Sequence, residues 1–323
     1  MTDVRLRIGL LGAGHLGKIH LKCLMGLPRW QVVGFYDVDP QTSKEVEQLF
    51  GIPAFDHPEE LMLLCDALDI VSPTTTHAHL AETAIRLGKH CFIEKPVTGT
   101  LDEALHLKSL CDGKGLRIQI GHVERFNPGF AAVRPFIHNP RFIEAHRLST
   151  FNPRGRDVSV IHDLMIHDLD LICLMANSPV AELRASGVSL VSPLPDICNA
   201  RIEFESGLVC NVTASRISMK QMRKLRIFQE DAYISLDMLD KEVQIIRLLD
   251  EPADQTLEID THRGKKYIRL VEPEIKNFNA IAEELKSFHN SIVREEAPEV
   301  NLEEGIQVMT LVQAIASQIE RSQ

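Results

Sequence analysis

Residues 7–20 read RIGLLGAGHLGKIH, and the architecture of the N-terminal third follows from them. A short aliphatic run enters a glycine turn, and a run of helical spacing leaves it. Gly12, Gly14 and Gly17 stand in the order G-x-G-x-x-G, which gives each glycine a separate task. Gly12 permits the tight turn, Gly14 lets a pyrophosphate approach the backbone, and Gly17 lets helix and strand pack closely. His15 and Leu16 fill the intervening positions and belong to the same candidate cofactor site. The N–H groups and dipole of the following helix favour a bound anion. The next strand, WQVVGFYDVD at 30–39, carries Asp37, 20 residues beyond Gly17. An acid there accepts hydrogen bonds from an adenosine ribose and repels a 2′-phosphate, so NAD is expected, with NADP as the alternative. The competing reading is a purely structural turn; the complete strand–turn–helix–strand–acid context argues against it.

Downstream, strand-like and helical runs alternate: DALDIVSPTTT and HCFIEKPV flank the helical HAHLAETAIRLGK, and TLDEALHLKSLCDGKG precedes LRIQIGHV. This spacing predicts an α/β Rossmann domain with a doubly wound parallel sheet over residues 1–123. Beyond it, one helical stretch over 158–176 is followed by longer strands with short turns and by two C-terminal helices. Residues 124–323 are therefore expected to form an α+β domain with a large, mostly antiparallel sheet, serving substrate binding and oligomerisation. A homodimer or homotetramer is expected.

The formal net charge of −10 argues against nucleic acid or an anionic membrane as partner. Seven scattered cysteines without a C-x-x-C pair read as reduced thiols. With no signal-peptide pattern and no membrane-length apolar run, the expected location is the cytoplasm.

The segment VIHDLMIHDLDL at 160–171 sets two His-Asp pairs and a further aspartate among aliphatic residues. Buried charge is costly unless it is paired or used. On a regular α-helix Asp163 and His167 lie about 40° apart, with Asp170 near the same line, so a polar stripe faces a cleft. His162 and His167, five apart, diverge by about 140°, which disfavours a shared metal; no metal is expected. His162 reads as a core histidine, and Asp168 points toward the apolar side.

At the end of a later strand, FIEKPV places Lys95 at the carboxyl edge of the parallel sheet, where ligands bind in such folds. Taken with GLLGAGHLGKIH, VSPTTTHAHLAETAIRLGKHCFIEKP, the crossover GHVERFNP, DLMIHDLDL and the closing VNLEEGIQVMTLVQAIASQIE, the chain resembles the glucose–fructose oxidoreductase / inositol dehydrogenase (Gfo/Idh/MocA) family over essentially its whole length. The resemblance implies a nicotinamide-dependent dehydrogenase acting on CH–OH groups of a sugar, cyclitol or similar polyol. It implies Lys95, Asp163 and His167 as catalytic positions, with Asp163 and His167 also touching substrate. Pro73, Thr74, His77 and Glu94 match the family's cofactor segments, and the Lys95–Pro96 bond is cis in many relatives. Thr75 stands where many members have asparagine.

In that reading His167 takes the hydroxyl proton, Lys95 stabilises the developing alkoxide and Asp163 orients the histidine. Arg125, Arg154 and Arg156 are the candidate phosphate or carboxylate ligands. Within the family, GHVERFNP and RDVSVIHDLMIHDLDL look most similar to nucleotide-sugar 3-dehydrogenases that oxidise UDP-N-acetylglucosamine. An inositol or simple-sugar dehydrogenase is the alternative. A catalytically silent NAD(H)-binding sensor is the alternative of another class.

Overall fold

The computed structural model describes residues 5–151 and 158–321. The chain forms two compact units: the first runs to Val123 and takes back residues 278–310, and the second comprises 124–277 and 311–323. The segment expected as one domain over 124–323 is thus interrupted.

In the first unit β1 (Leu6–Leu11), α1 (His15–Met25), β2 (Trp30–Tyr36), α2 (Pro40–Phe50), α3 (Pro58–Leu64), β3 (Ala67–Ile70), α4 (Thr74–Arg86), β4 (His90–Glu94), α5 (Leu101–Cys111) and β5 (Ile118–Gly121) follow one another. The strands pair in the order β2-β1-β3-β4-β5, all parallel. Their runs are apolar on both faces because helices cover both; Ile8, Leu10, Leu68, Ile70, Phe92 and Ile93 are all fully buried. The order reverses between β1 and β3, which opens a crevice at their carboxyl ends. Residues 278–310 return here because Leu285 and Phe288, on the helix Ala280–Arg294, complete an apolar cluster with Ile8, Leu24 and Trp30. The Trp30 indole also donates to the Leu285 carbonyl at 3.1 Å.

In the second unit α6 (Pro128–Val133) and β6 (Phe142–Leu148) precede a helical segment ending in α7 (Ile166–Ala176). Then come β7 (Val180–Val188), β8 (Ile197–Phe204), β9 (Val209–Ser215), β10 (Met222–Gln229), β11 (Ala232–Asp237), β12 (Glu242–Leu249), β13 (Leu257–Thr261) and β14 (Gly264–Val271). They form one sheet, ordered β13-β14-β12-β11-β10-β6-β9-β8-β7, antiparallel except where β6 pairs with β9. Its inner face alternates small and aliphatic residues, among them Ile143, Ala145, Ala200, Val212, Leu225 and Ile234. Among the described residues no helix is long and apolar enough to cross a membrane.

The loop before β8 is organised by one carboxylate. Asp196, fully buried, accepts the N–H groups of Leu190, Val191 and Ser192 at 2.7, 2.7 and 3.1 Å and the Ser192 hydroxyl at 2.8 Å. Burial alone would raise its pKa, but these donors outweigh burial and bring it down to about 2. A depressed carboxylate contributes stability above its unfolded pKa of about 4 and loses it as pH falls through the folded value. The wild-type protein is therefore expected to lose this contribution between about pH 4 and pH 2. Asp196→Ala should destabilise the protein at pH 7 by about 1–2 kcal/mol, and urea titrations should show the difference vanishing at the acid end.

Candidate active site

In the first unit the glycine turn joins β1 to α1. Gly12 has φ +98°, and a Cβ there would lie 2.5 Å from both the backbone nitrogen and the Cα of Ser72, just beyond β3. A Cβ on Gly17 would collide with the Gly12 carbonyl oxygen. At Gly14 a Cβ would meet nothing within 4 Å, so the backbone there is open to a ligand. Gly14 caps α1 without any side-chain hydrogen bond, leaving the first-turn N–H groups for an anion. The turn thus has the free approach and the donors that a pyrophosphate requires.

A cavity of about 640 Å³ lies over the turn, lined among others by Gly12, Gly14, His15, Leu16, Asp37 and Pro73. Tyr36, Val38, Thr42, Ser72, Thr76 and His79 also line it, and the sequence reading did not name them. Tyr36 and Val38 flank the acid that did signal the site; Thr42 and His79 reach the rim from α2 and α4. Asp37 accepts the Ala13 N–H at 2.7 Å and the Asp39 N–H at 2.9 Å, tying the end of β2 to the glycine turn.

His77 corrects its expected role. It is buried, its Nδ1 lies 3.0 Å from the Pro96 carbonyl oxygen and its Nε2 2.8 Å from that of Ser72. Both ring nitrogens face main-chain carbonyls, so the ring lies between two loops, and it is not among the residues that line the cavity. Thr74 opens α4, and Thr75 is exposed in its first turn. Glu94 is buried, and one of its oxygens receives the Lys95 N–H at 3.1 Å. Lys95 is half-buried directly after β4, and the Lys95–Pro96 bond is cis.

In the second unit the helix expected over 160–175 is α-helical only from Ile166. Ile161–Met165 form a π turn, in which the Ile166 N–H reaches the Ile161 carbonyl. The extra residue in such a turn invalidates the 100° arithmetic for Asp163 and removes the angular argument that separated His162 from His167. Among the described residues no group of three or more His, Cys, Asp and Glu side chains is placed to hold a metal. Asp163 is exposed and His167 half-buried, whereas Asp168 and Asp170 are buried.

Asp170 does not extend the polar stripe, because Arg125 takes it. The guanidinium of Arg125 donates to the two Asp170 oxygens at 2.7–3.1 Å, and neither side chain is more than 1% exposed. Arg125 is therefore a buried structural partner, which corrects its expected place among the substrate ligands. Asp168, which sequence left without an account, accepts two hydrogen bonds from Arg147 at 2.9 Å, and Glu124 takes a third at 2.8 Å. Burial alone would lower the Arg147 pKa, but Asp168 and Glu124 hold it raised, so the group stays charged. Arg154 and Arg156 lie outside the described residues.

A doubly wound parallel sheet, an uncapped glycine turn and an acid at the end of β2 define a dinucleotide-binding protein. Comparison with known proteins is in accord. A model described as "oxidoreductase family, NAD-binding Rossmann fold" matches residues 6–122, and one described as "GFO/IDH/MocA C-terminal domain" matches 130–235. UDP-N-acetylglucosamine 3-dehydrogenase of Acidithiobacillus ferrooxidans is 37% identical over 243 residues, 75% of this chain and 77% of that one. A solved structure of that enzyme superposes with a TM-score of 0.88 at 32% identity, covering 98% of this chain and 99% of the other. The myo-inositol 2-dehydrogenase of Thermotoga maritima is 25% identical, covering 98% of this chain and 96% of its own. The chain belongs to the Gfo/Idh/MocA family and is an NAD-binding oxidoreductase.

The reassignment of Arg125 has a measurable consequence. Removing one partner of a buried ion pair typically costs about 3–5 kcal/mol. Arg125→Met is expected to destabilise the protein by that order in guanidinium titrations. Unchanged stability with a raised substrate KM would return Arg125 to the substrate ligands.

Proposed function

We propose that the protein is a nucleotide-sugar dehydrogenase that oxidises a ring hydroxyl of a UDP-N-acetylhexosamine, with UDP-N-acetylglucosamine as the first candidate. The 37% identity to a UDP-N-acetylglucosamine 3-dehydrogenase, spread over three quarters of this chain, carries the reading. Gly12–Gly17 and Asp37 would hold NAD, which when bound would supply the hydride acceptor.

The chain's own residues supply the rest. His167, half-buried in the first turn of α7, is assigned the hydroxyl proton, since an imidazole exchanges protons near neutrality. Lys95, at the carboxyl edge of the parallel sheet, is assigned the developing alkoxide, the charge that most needs stabilising in such a step. Asp163 orients His167 or holds a neighbouring hydroxyl. Glu94 acts on the cofactor side indirectly, through the main chain of Lys95. A reduced cytoplasm suits the seven cysteines, all of them free thiols.

A homo-oligomer is proposed on a separate observation. Across the outer face of the large sheet, strand register aligns Phe142, Phe228, Tyr233, Ile246 and Leu270 in one row over five adjacent strands. Of these, Phe228, Ile246 and Leu270 are exposed large apolar residues, and a contiguous apolar row on a broad sheet fits a second copy of the same face.

Three measurements test these readings. A spectrophotometric screen of UDP-N-acetylglucosamine, glucose and myo-inositol with NAD is expected to give turnover with the UDP-sugar. Preference for inositol would replace the substrate assignment. Lys95→Met should bind NAD with wild-type affinity and lose about 10²–10³ in kcat, the usual loss when an oxyanion donor is removed. Ile246→Glu should shift sedimentation toward the monomer; an unaltered oligomer would remove this face from the interface.

A further inference from the structure

The first unit holds a buried charge array that the proposed chemistry leaves unexplained. His20, on α1 three residues past Gly17, is fully buried, as is Asp69 on β3. The ring's Nδ1 lies 3.0 Å from Asp69 Oδ2, and its Nε2 faces Glu94 Oε1 at 3.3 Å. The other Glu94 oxygen receives the Lys95 N–H at 3.1 Å. Phe92 closes one side of the ring edge-on, with centroids 5.8 Å apart. Room for the Glu94 carboxylate is left by Gly121 on β5, where a Cβ would stand 2.8 Å from Oε1. Three strands and the helix of the glycine turn thus contribute to one contact.

A neutral imidazole has one N–H and one lone pair, so between two carboxylates it would set a lone pair against an oxygen. The doubly protonated ring donates to Asp69 and turns its second N–H, as an ion-pair contact at 3.3 Å without hydrogen-bond alignment, toward Glu94. We propose that His20 is a positioning residue: anchored by Asp69, it fixes the Glu94 carboxylate and, through it, the main chain that carries Lys95. The proposal rests on the reading of Lys95 as a catalytic residue. In this way the helix that begins at the cofactor turn and the strand that delivers the lysine are held in mutual register, without any direct contact of His20 with either ligand.

Electrostatics are consistent with this geometry. Burial alone would lower the ring's pKa, but Asp69 and Glu94 outweigh it and hold it well above 6.5. These two carboxylates are the charged groups that face it from the sheet, and Cys23 on the same helix also feels its charge. The stabilisation is complete below the unfolded pKa of about 6.5 and is lost as pH rises through the raised value. Release of the array thus belongs on the alkaline side.

Histidine-labelled NMR of the wild-type protein reads the ring without any substitution: His20 with both nitrogens protonated at pH 7.5 is expected, and a neutral ring there overturns the proposal. Kinetics with UDP-N-acetylglucosamine and NAD read its effect. His20→Gln should lower kcat about tenfold or more, keep the KM for NAD within about twofold, and abolish the alkaline fall of kcat expected of the wild type. Gly121→Ala, which presses on Glu94 from β5 and leaves His20 in place, should lower kcat in the same way. Wild-type kcat in both variants, or a loss matched by an equal rise in the KM for NAD, overturns the assignment. Lys95→Met in the same assay separates the two layers. If it is inactive while both other variants turn over normally, only the His20 array fails; if it turns over normally, the lysine reading falls and the array's proposed purpose with it.

Discussion

No side chain fits at two points of the β1–α1 turn, and the first unit is arranged around that exclusion. The end of β3 packs so close to Gly12 that a methyl group would overlap the Ser72 backbone, and α1 sits directly on the Gly12 carbonyl at Gly17. Such proximity brings the ends of β1 and β3 together while the sheet order reverses between them. The crevice therefore opens where α1 presents uncapped N–H groups. Asp37 then links the end of β2 to Ala13, which sets an acceptor at the cavity wall. A larger residue at either glycine would part the strands from the helix before any ligand arrived.

This part of the molecule was legible because its determinants are local. The turn, its helix and the acid of β2 lie within 26 consecutive residues, and each demands a residue type that sequence displays openly. What sequence concealed depends on partners far along the chain. Arg125 reads as a ligand-binding arginine until Asp170, 45 residues away, is seen to neutralise it. Strand β6 alternates between inner and outer faces, but the inner position of Arg147 hides the apolar period, since its partners come from Glu124 and Asp168. Strands β13 and β14 have no fully buried face at all, so no core side stands behind whatever alternation their sequences show. His77 was legible as belonging to the right segment but not as a brace, because the Pro96 carbonyl that holds it lies 19 residues on. The π turn at Ile161–Met165 likewise follows from packing, where propensity alone would continue a regular helix.

The apolar, acid-rich helix of the second unit can now be understood as two sets of polar residues with opposite requirements. Asp168 and Asp170 are buried and each is held by an arginine fork, Arg147 for one and Arg125 for the other. Asp163 and His167 retain solvent access on the same segment. The two forks grip α7 immediately beyond His167, at positions one and three residues later, and a planar guanidinium fixes direction as well as distance. An apolar helix alone could slide or rotate over the aliphatic inner face of the sheet at small cost. The ion pairs remove that freedom, since a displaced aspartate would strand its arginine in a buried setting. The two aspartates thus have a structural use: they define the axial position of the helix, and with it the place at which His167 stands.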